Sequence, residues 1–98
     1  MFLGGIAVAH YTAGRYAEAA SHSEELLRLR PGFHGAQRLR IASLAKVGRV
    51  EEARTHLAAL CREHSKLSIE WIRSSVPYQT PALMEDFLDG MRRAGLKE

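Results

Sequence analysis

Gly14-Arg15-Tyr16-Ala17-Glu18-Ala19 and Gly48-Arg49-Val50-Glu51-Glu52-Ala53 decide the reading of this chain, and they stand 34 residues apart. A shift of 34 places superposes Gly14 on Gly48, Arg15 on Arg49, Glu18 on Glu52 and Ala19 on Ala53. It also superposes His22 on His56, Leu26 on Leu60 and Arg28 on Arg62. Ordinary residue frequencies would supply about one such identity in a window of this size. The chain therefore carries an internal repeat, with a period typical of stacked helix pairs.

Outward from these two turns the pattern is helical. Glycine ends a helix without a Cβ penalty, so Gly14 and Gly48 each read as the joint between two helices. Beyond the first joint, Tyr16, Ala19, Ala20, Ser23, Leu26 and Leu27 fall on one face. Beyond the second, Val50, Ala53, Leu57, Leu60 and Cys61 do so. These are i, i+3, i+4, i+7 spacings with charges on the far side. Pro31-Gly32 closes the first unit. No window alternates with period 2 between turn signals, so the fold class is all-α. Helices are predicted over 2–13, 15–29, 34–46, 49–64, 67–75 and 81–93. In the interruption at 76–81, Thr80 is placed to cap the last helix and Pro81 to open it. That helix carries Leu83, Met84, Phe87, Leu88 and Met91 on one stripe, and Gly95 stops it.

Composition bounds what such a chain can be. With 98 residues, 46% hydrophobic and 26% charged, one core is the limit and wholesale disorder is excluded. Fourteen basic against 11 acidic residues give a net charge of +3, a mild excess for a dedicated nucleic-acid binder. A single cysteine, Cys61, rules out an internal disulfide and suits a reducing compartment, so a cytoplasmic location is expected. The apolar opening Met1-Phe2-Leu3-Gly4-Gly5-Ile6-Ala7-Val8-Ala9 is too short for a membrane span and lacks a basic leader.

A 34-residue helix pair with these turns resembles the tetratricopeptide repeat. The likeness rests on Ala7, Gly14, Tyr16, Ala19 and Pro31 in the first unit and on Leu44, Gly48, Val50 and Ala53 in the second. Trp71, 34 residues beyond Gln37, falls where a third unit would carry its tryptophan. Ser65 in place of the terminal proline, and Pro77 within the third unit, depart from the pattern. The resemblance implies a right-handed α-α superhelix of two repeats and a truncated third over 1–76, followed by a linker and capping helix over 77–98. The tail, from Trp71 to Tyr78 and from Phe87 to Leu96, looks like the C-terminal segment of bacterial class III adenylate cyclase-type signalling proteins. On that resemblance the chain is the regulatory end of a larger polypeptide. No metal-binding or nucleotide-binding motif of a cyclase domain lies in these residues, so any catalysis would belong to an upstream domain.

The family's fixed first-helix positions map a peptide-binding groove onto Val8, Tyr11, Thr12, Arg38, Leu39, Ala42 and Lys46. Its asparagine carboxylate clamp is missing, which argues against chaperone-tail binding. The expected activity is that of a non-enzymatic protein–protein interaction scaffold, its partner a protein, a peptide or an upstream domain of the same chain. The alternative is an intramolecular regulatory or dimerisation segment of a cyclase-type enzyme. A homodimer through the first helix would result from exposure of Phe2, Leu3 and Ile6.

No cofactor is expected. His22 and His56 each stand four residues after a glutamate, Glu18 and Glu52, which reads as helix-surface pairing. Cys61 and His64 are half of a zinc site without a second half. There is no GxSxG, P-loop or GxGxxG. Arg28, Arg30, Arg38 and Arg40 form a basic cluster around Pro31-Gly32, but base stacking would need aromatic rings among them and only Phe33 is near in sequence. An RNA-binding helical repeat therefore ranks last among the readings, and nucleic acid is not the expected partner.

Overall fold

The computed structural model describes residues 11, 13–75 and 81–98, which form helices joined by turns, with no strand among them. The helices are α1 Tyr16–Leu29, α2 His34–Lys46, α3 Val50–Glu63, α4 Ile69–Ser75 and α5 Pro81–Arg93. The helix expected over 2–13 lies outside the described residues apart from its end, where Tyr11 is helical. Thr80, expected to cap the last helix, also lies outside them. None of the described helices is long and apolar enough to cross a membrane.

The 34-residue period reappears in the backbone. Gly14 and Gly48 both turn through the left-handed region, at φ 80° and 91°. Arg15 and Arg49, next in the chain, adopt φ/ψ of −89°/70° and −86°/57° at the starts of α1 and α3. Arg30 and His64 end those helices at −139°/81° and −130°/81°, each donating its N–H back to Leu26 or Leu60. Three pairs of equivalent positions thus share one local geometry. The two arginines expected inside the helices stand just before them instead, and their carbonyls accept the first bonds from Ala19 (3.0 Å) and Ala53 (3.1 Å). At Gly48 the exit is closed by Arg49 N–H on the Leu44 carbonyl, 2.9 Å. At Gly95 (φ 103°), Leu96 N–H on the Met91 carbonyl, 3.0 Å, does the same. That is the six-to-one bond of a glycine-terminated helix.

Packing centres on α2, which lies against α1, α3 and α5. Ile41, Ala42 and Leu44 are fully buried, and Ala36, Leu39, Ser43 and Ala45 are buried with them. One core joins Tyr11, Ala19, Leu57, Leu67, Ile72 and Phe87 with residues of α2, and a smaller cluster of Leu26, Leu27 and Ala36 sits under the α1–α2 turn. The ensemble measures 29 × 28 × 27 Å.

α4 is short, and its start is fully capped. It begins at Ile69, two residues later than expected, after a turn in which Leu67 N–H donates to the His64 carbonyl at 3.1 Å. Ser68 Oγ accepts the Trp71 N–H at 3.0 Å. The end of the chain supplies the rest: Ile69 and Glu70 N–H donate to the Lys97 and Glu98 carbonyls at 2.8 and 3.1 Å. Three otherwise orphaned donors are satisfied in this way.

Two substitutions test this packing. A Cβ on Gly90 would meet Ala42 Cβ and the Ala42 carbonyl oxygen at 3.0 Å, whereas one on Gly32 would meet nothing within 4 Å. Gly90→Ala should therefore lower stability by about 1–2 kcal/mol, overpacking outweighing the gain in helix propensity, and Gly32→Ala should lose much less. Denaturant unfolding would show the difference. Ser43 is fully buried, and its Oγ has no hydrogen-bond partner among the described residues. Ser43→Ala should raise stability by about 1 kcal/mol in the same assay.

Candidate functional site

Arg38, Ala42 and Lys46 recur every four residues along α2 and form one stripe. The structure commits all three to α4 and α5. The Arg38 guanidinium carbon lies over the Trp71 ring, 5.7 Å from its centroid. Ala42 meets Gly90, where the missing side chain lets the two helices approach. Lys46 Nζ reaches Asp89 Oδ2 at 2.7 Å and Asp86 Oδ1 at 2.9 Å. Two aspartates one turn apart on α5 thus straddle one ammonium whose side chain is 10% exposed.

Tyrosines complete the arrangement. Tyr16 donates its hydroxyl to Asp86 Oδ2 at 3.1 Å, and Tyr11 donates to the Asp86 carbonyl, also at 3.1 Å. The Tyr11 ring packs edge-on against Tyr16 and Phe87, with centroids 4.9 and 6.1 Å away. Arg93 reaches Asp89 at 2.9 Å from the exposed side. Burial alone would pull the Lys46 ammonium pKa down, but its bonds to Asp89 and Asp86 outweigh that and leave it raised. Lys46 in turn holds the Asp89 carboxyl below its usual range, against the opposing effect of burial. Burial, and then the Asp86 charge, push the Tyr16 phenol up.

Of the groove positions, Tyr11, Leu39 and Ala42 are buried, and Lys46 is engaged by α5. Arg38 is half-buried against α4. Val8 and Thr12 lie outside the described residues. The stripe expected on the last helix divides by depth: Phe87, Leu88 and Met91 are buried, while Leu83 and Met84 are half-buried at the edge of the core. The phenol and carboxylate partners of Lys46 were missed from sequence. The spacing Asp86-x-x-Asp89 was visible, but nothing in it pointed to a lysine forty residues earlier.

Around the other end of α2 the structure gathers rings. His34 and His64 lie nearly parallel, 10° apart with centroids at 6.1 Å, and His64 meets Trp71 edge-on at 4.4 Å. Glu63 approaches His34 at 3.9 Å. Arg30 sits over Phe33, 5.9 Å from its centroid.

The four arginines of the sequence cluster do not act together. Arg28 pairs with Glu25, whereas Arg40 turns toward Glu24 and His56. Burial pulls the Arg40 guanidinium below its ordinary pKa, with Glu24 opposing, and burial together with the Arg40 charge lowers His56. Glu52, expected to pair with His56, accepts a bidentate pair of bonds from Arg49 Nε and Nη2 at 2.7 Å, and its charge also acts on His56. Cys61 is a free, half-buried thiol. Among the described residues, no three His, Cys, Asp or Glu side chains are placed to hold a metal ion together.

No family model matches the chain, and no curated protein or solved structure matches it either. What the fold defines is an all-α protein whose central helix is enclosed by its neighbours and clamped to α5 by charge.

The clamp sets a pH dependence. Asp89 has a lowered folded-state pKa, so its contribution is complete above the unfolded carboxyl value near 4 and fades as pH falls through the folded value. Lys46 has a raised one, so its contribution holds below about 10.5 and is lost as pH rises beyond it. Lys46→Met should cost about 1–3 kcal/mol at neutral pH. The gap from wild type should narrow in urea melts at both acid and alkaline extremes.

Proposed function

We propose that this chain is a non-enzymatic protein–protein interaction scaffold of tetratricopeptide-like helix pairs. The observation that carries the reading is the recurrence of one turn geometry at Gly14/Gly48, Arg15/Arg49 and Arg30/His64. Two units of equal length and equal joint geometry are what stacked helical repeats are made from. In a superhelical array the stripe Arg38, Ala42 and Lys46 would line the concave side, and here α4 and α5 take it up. The burial of Phe87, Leu88 and Met91 makes α5 part of the core, a cap on the stack more than a detachable tether.

A partner then meets what the core leaves uncovered. Ala20 and Leu27 of α1 are buried, whereas their counterparts 34 residues on, Arg54 and Cys61 of α3, are exposed and half-buried. The outer face of α3 thus keeps a side that α1 covers. It presents Arg54, Ala58 and Arg62, two cations flanking a small residue, and fits an acidic protein surface. In a second reading the same face of α3 docks on an upstream domain of one signalling polypeptide, such as a cyclase-type enzyme.

Charge reversal at Arg54 and Arg62 tests both. The double Glu variant should keep its helical circular dichroism and melt, yet lose crosslinks that the wild-type chain makes in cells. Crosslinks of undiminished yield would refute this surface. Crosslinked peptides from within the same polypeptide would select the second reading.

A further inference from the structure

We propose that the edge formed by His34, Arg38, His64 and Trp71 is a stacking site for single-stranded nucleic acid. The sequence argues against such binding, because the arginines near Pro31-Gly32 have only Phe33 beside them. Folding changes that inventory. The end of α3 brings His64 to 6.1 Å from His34, and α4 brings Trp71 to 4.4 Å from His64 and beneath the Arg38 guanidinium at 5.7 Å. Rings from three separate segments now run together, with a guanidinium over the last of them.

The chemistry points to bases and phosphates in combination. Flat π-faces backed by guanidinium groups favour unstacked bases, which every nucleotide of a single strand offers and a duplex does not. His34 has a side chain 46% exposed, so one ring of the edge is open to solvent. Arg30, itself over Phe33, and Lys66 in the turn after His64 are exposed cations close in sequence to the two histidines. His64 Nδ1 is buried without a hydrogen-bond partner among the described residues, which leaves a polar ring atom unanswered within the cluster. The edge offers rings and cations together, a combination suited to bases and phosphates. Glu63 sets a carboxylate against His34 and limits the attraction to a weak, salt-sensitive one.

Trp71 is the only tryptophan, so its fluorescence reports on this edge alone. Titration of the whole chain with mixed-sequence single-stranded RNA of about 10 nucleotides should quench it saturably. Raising salt from about 50 to 200 mM should weaken binding several-fold. His34→Ala and Arg38→Ala, checked for an unchanged melt, should each weaken it by about 5- to 100-fold, the range for loss of one stacked base. Trp71→Leu, measured by anisotropy of a labelled strand, should do the same. Absence of saturable quenching would overturn the proposal. So would equal affinity for duplex RNA, equal quenching by mononucleotides, or binding unchanged in His34→Ala and Arg38→Ala.

Discussion

The close approach of α5 to α2 is the constraint on which the rest depends. It needs a glycine at 90, because Ala42 and its backbone stand where a side chain would go. Once the backbones are that near, Asp86 and Asp89 fall on either side of Lys46, and Phe87, Leu88 and Met91 enter the core. The glycine costs helix propensity of about 1 kcal/mol, which burial of three large apolar side chains offsets several times over. Without that contact, α2 would show an apolar side to water.

The ionic clamp works differently from the surface pairs elsewhere on the molecule. Arg28–Glu25 and Arg54–Glu51 are widely exposed and stretched to 3.9 and 4.0 Å, so water competes for both partners and they contribute little. Lys46 is almost wholly withdrawn from water and meets two carboxylates that remain partly wet. Its desolvation is compensated by its bonds to Asp89 and Asp86. The same interaction that orients α5 therefore makes its docking sensitive to charge. The tail extends this closure, since the last two carbonyls cap α4 and tie the end of the chain to the helix preceding α5.

Much was legible in the residues themselves. Gly14 and Gly48 announced left-handed turns because no other residue takes that conformation cheaply, and the 34-residue identities announced that the helices beyond the two turns would fold alike. The depth of the last helix was half legible: its stripe named the residues that face inward but not the helix they would meet. Of the site, Arg38 and Lys46 were singled out as the charged members of α2's stripe, while their partners were not.

Local chemistry thus determined helix positions, turn geometry and the repeat, because those depend on bonds and contacts spanning only a few residues. Tertiary structure alone decided that α5 returns to α2, that one lysine joins two aspartates, and that His64 meets His34 and Trp71, with Arg38 over Trp71. Lys46 and its aspartates lie 40 and 43 places apart, and no periodicity within a single helix encodes which face another helix will choose. Shape and burial over the whole chain make that choice, with Gly90 as the residue that permits it.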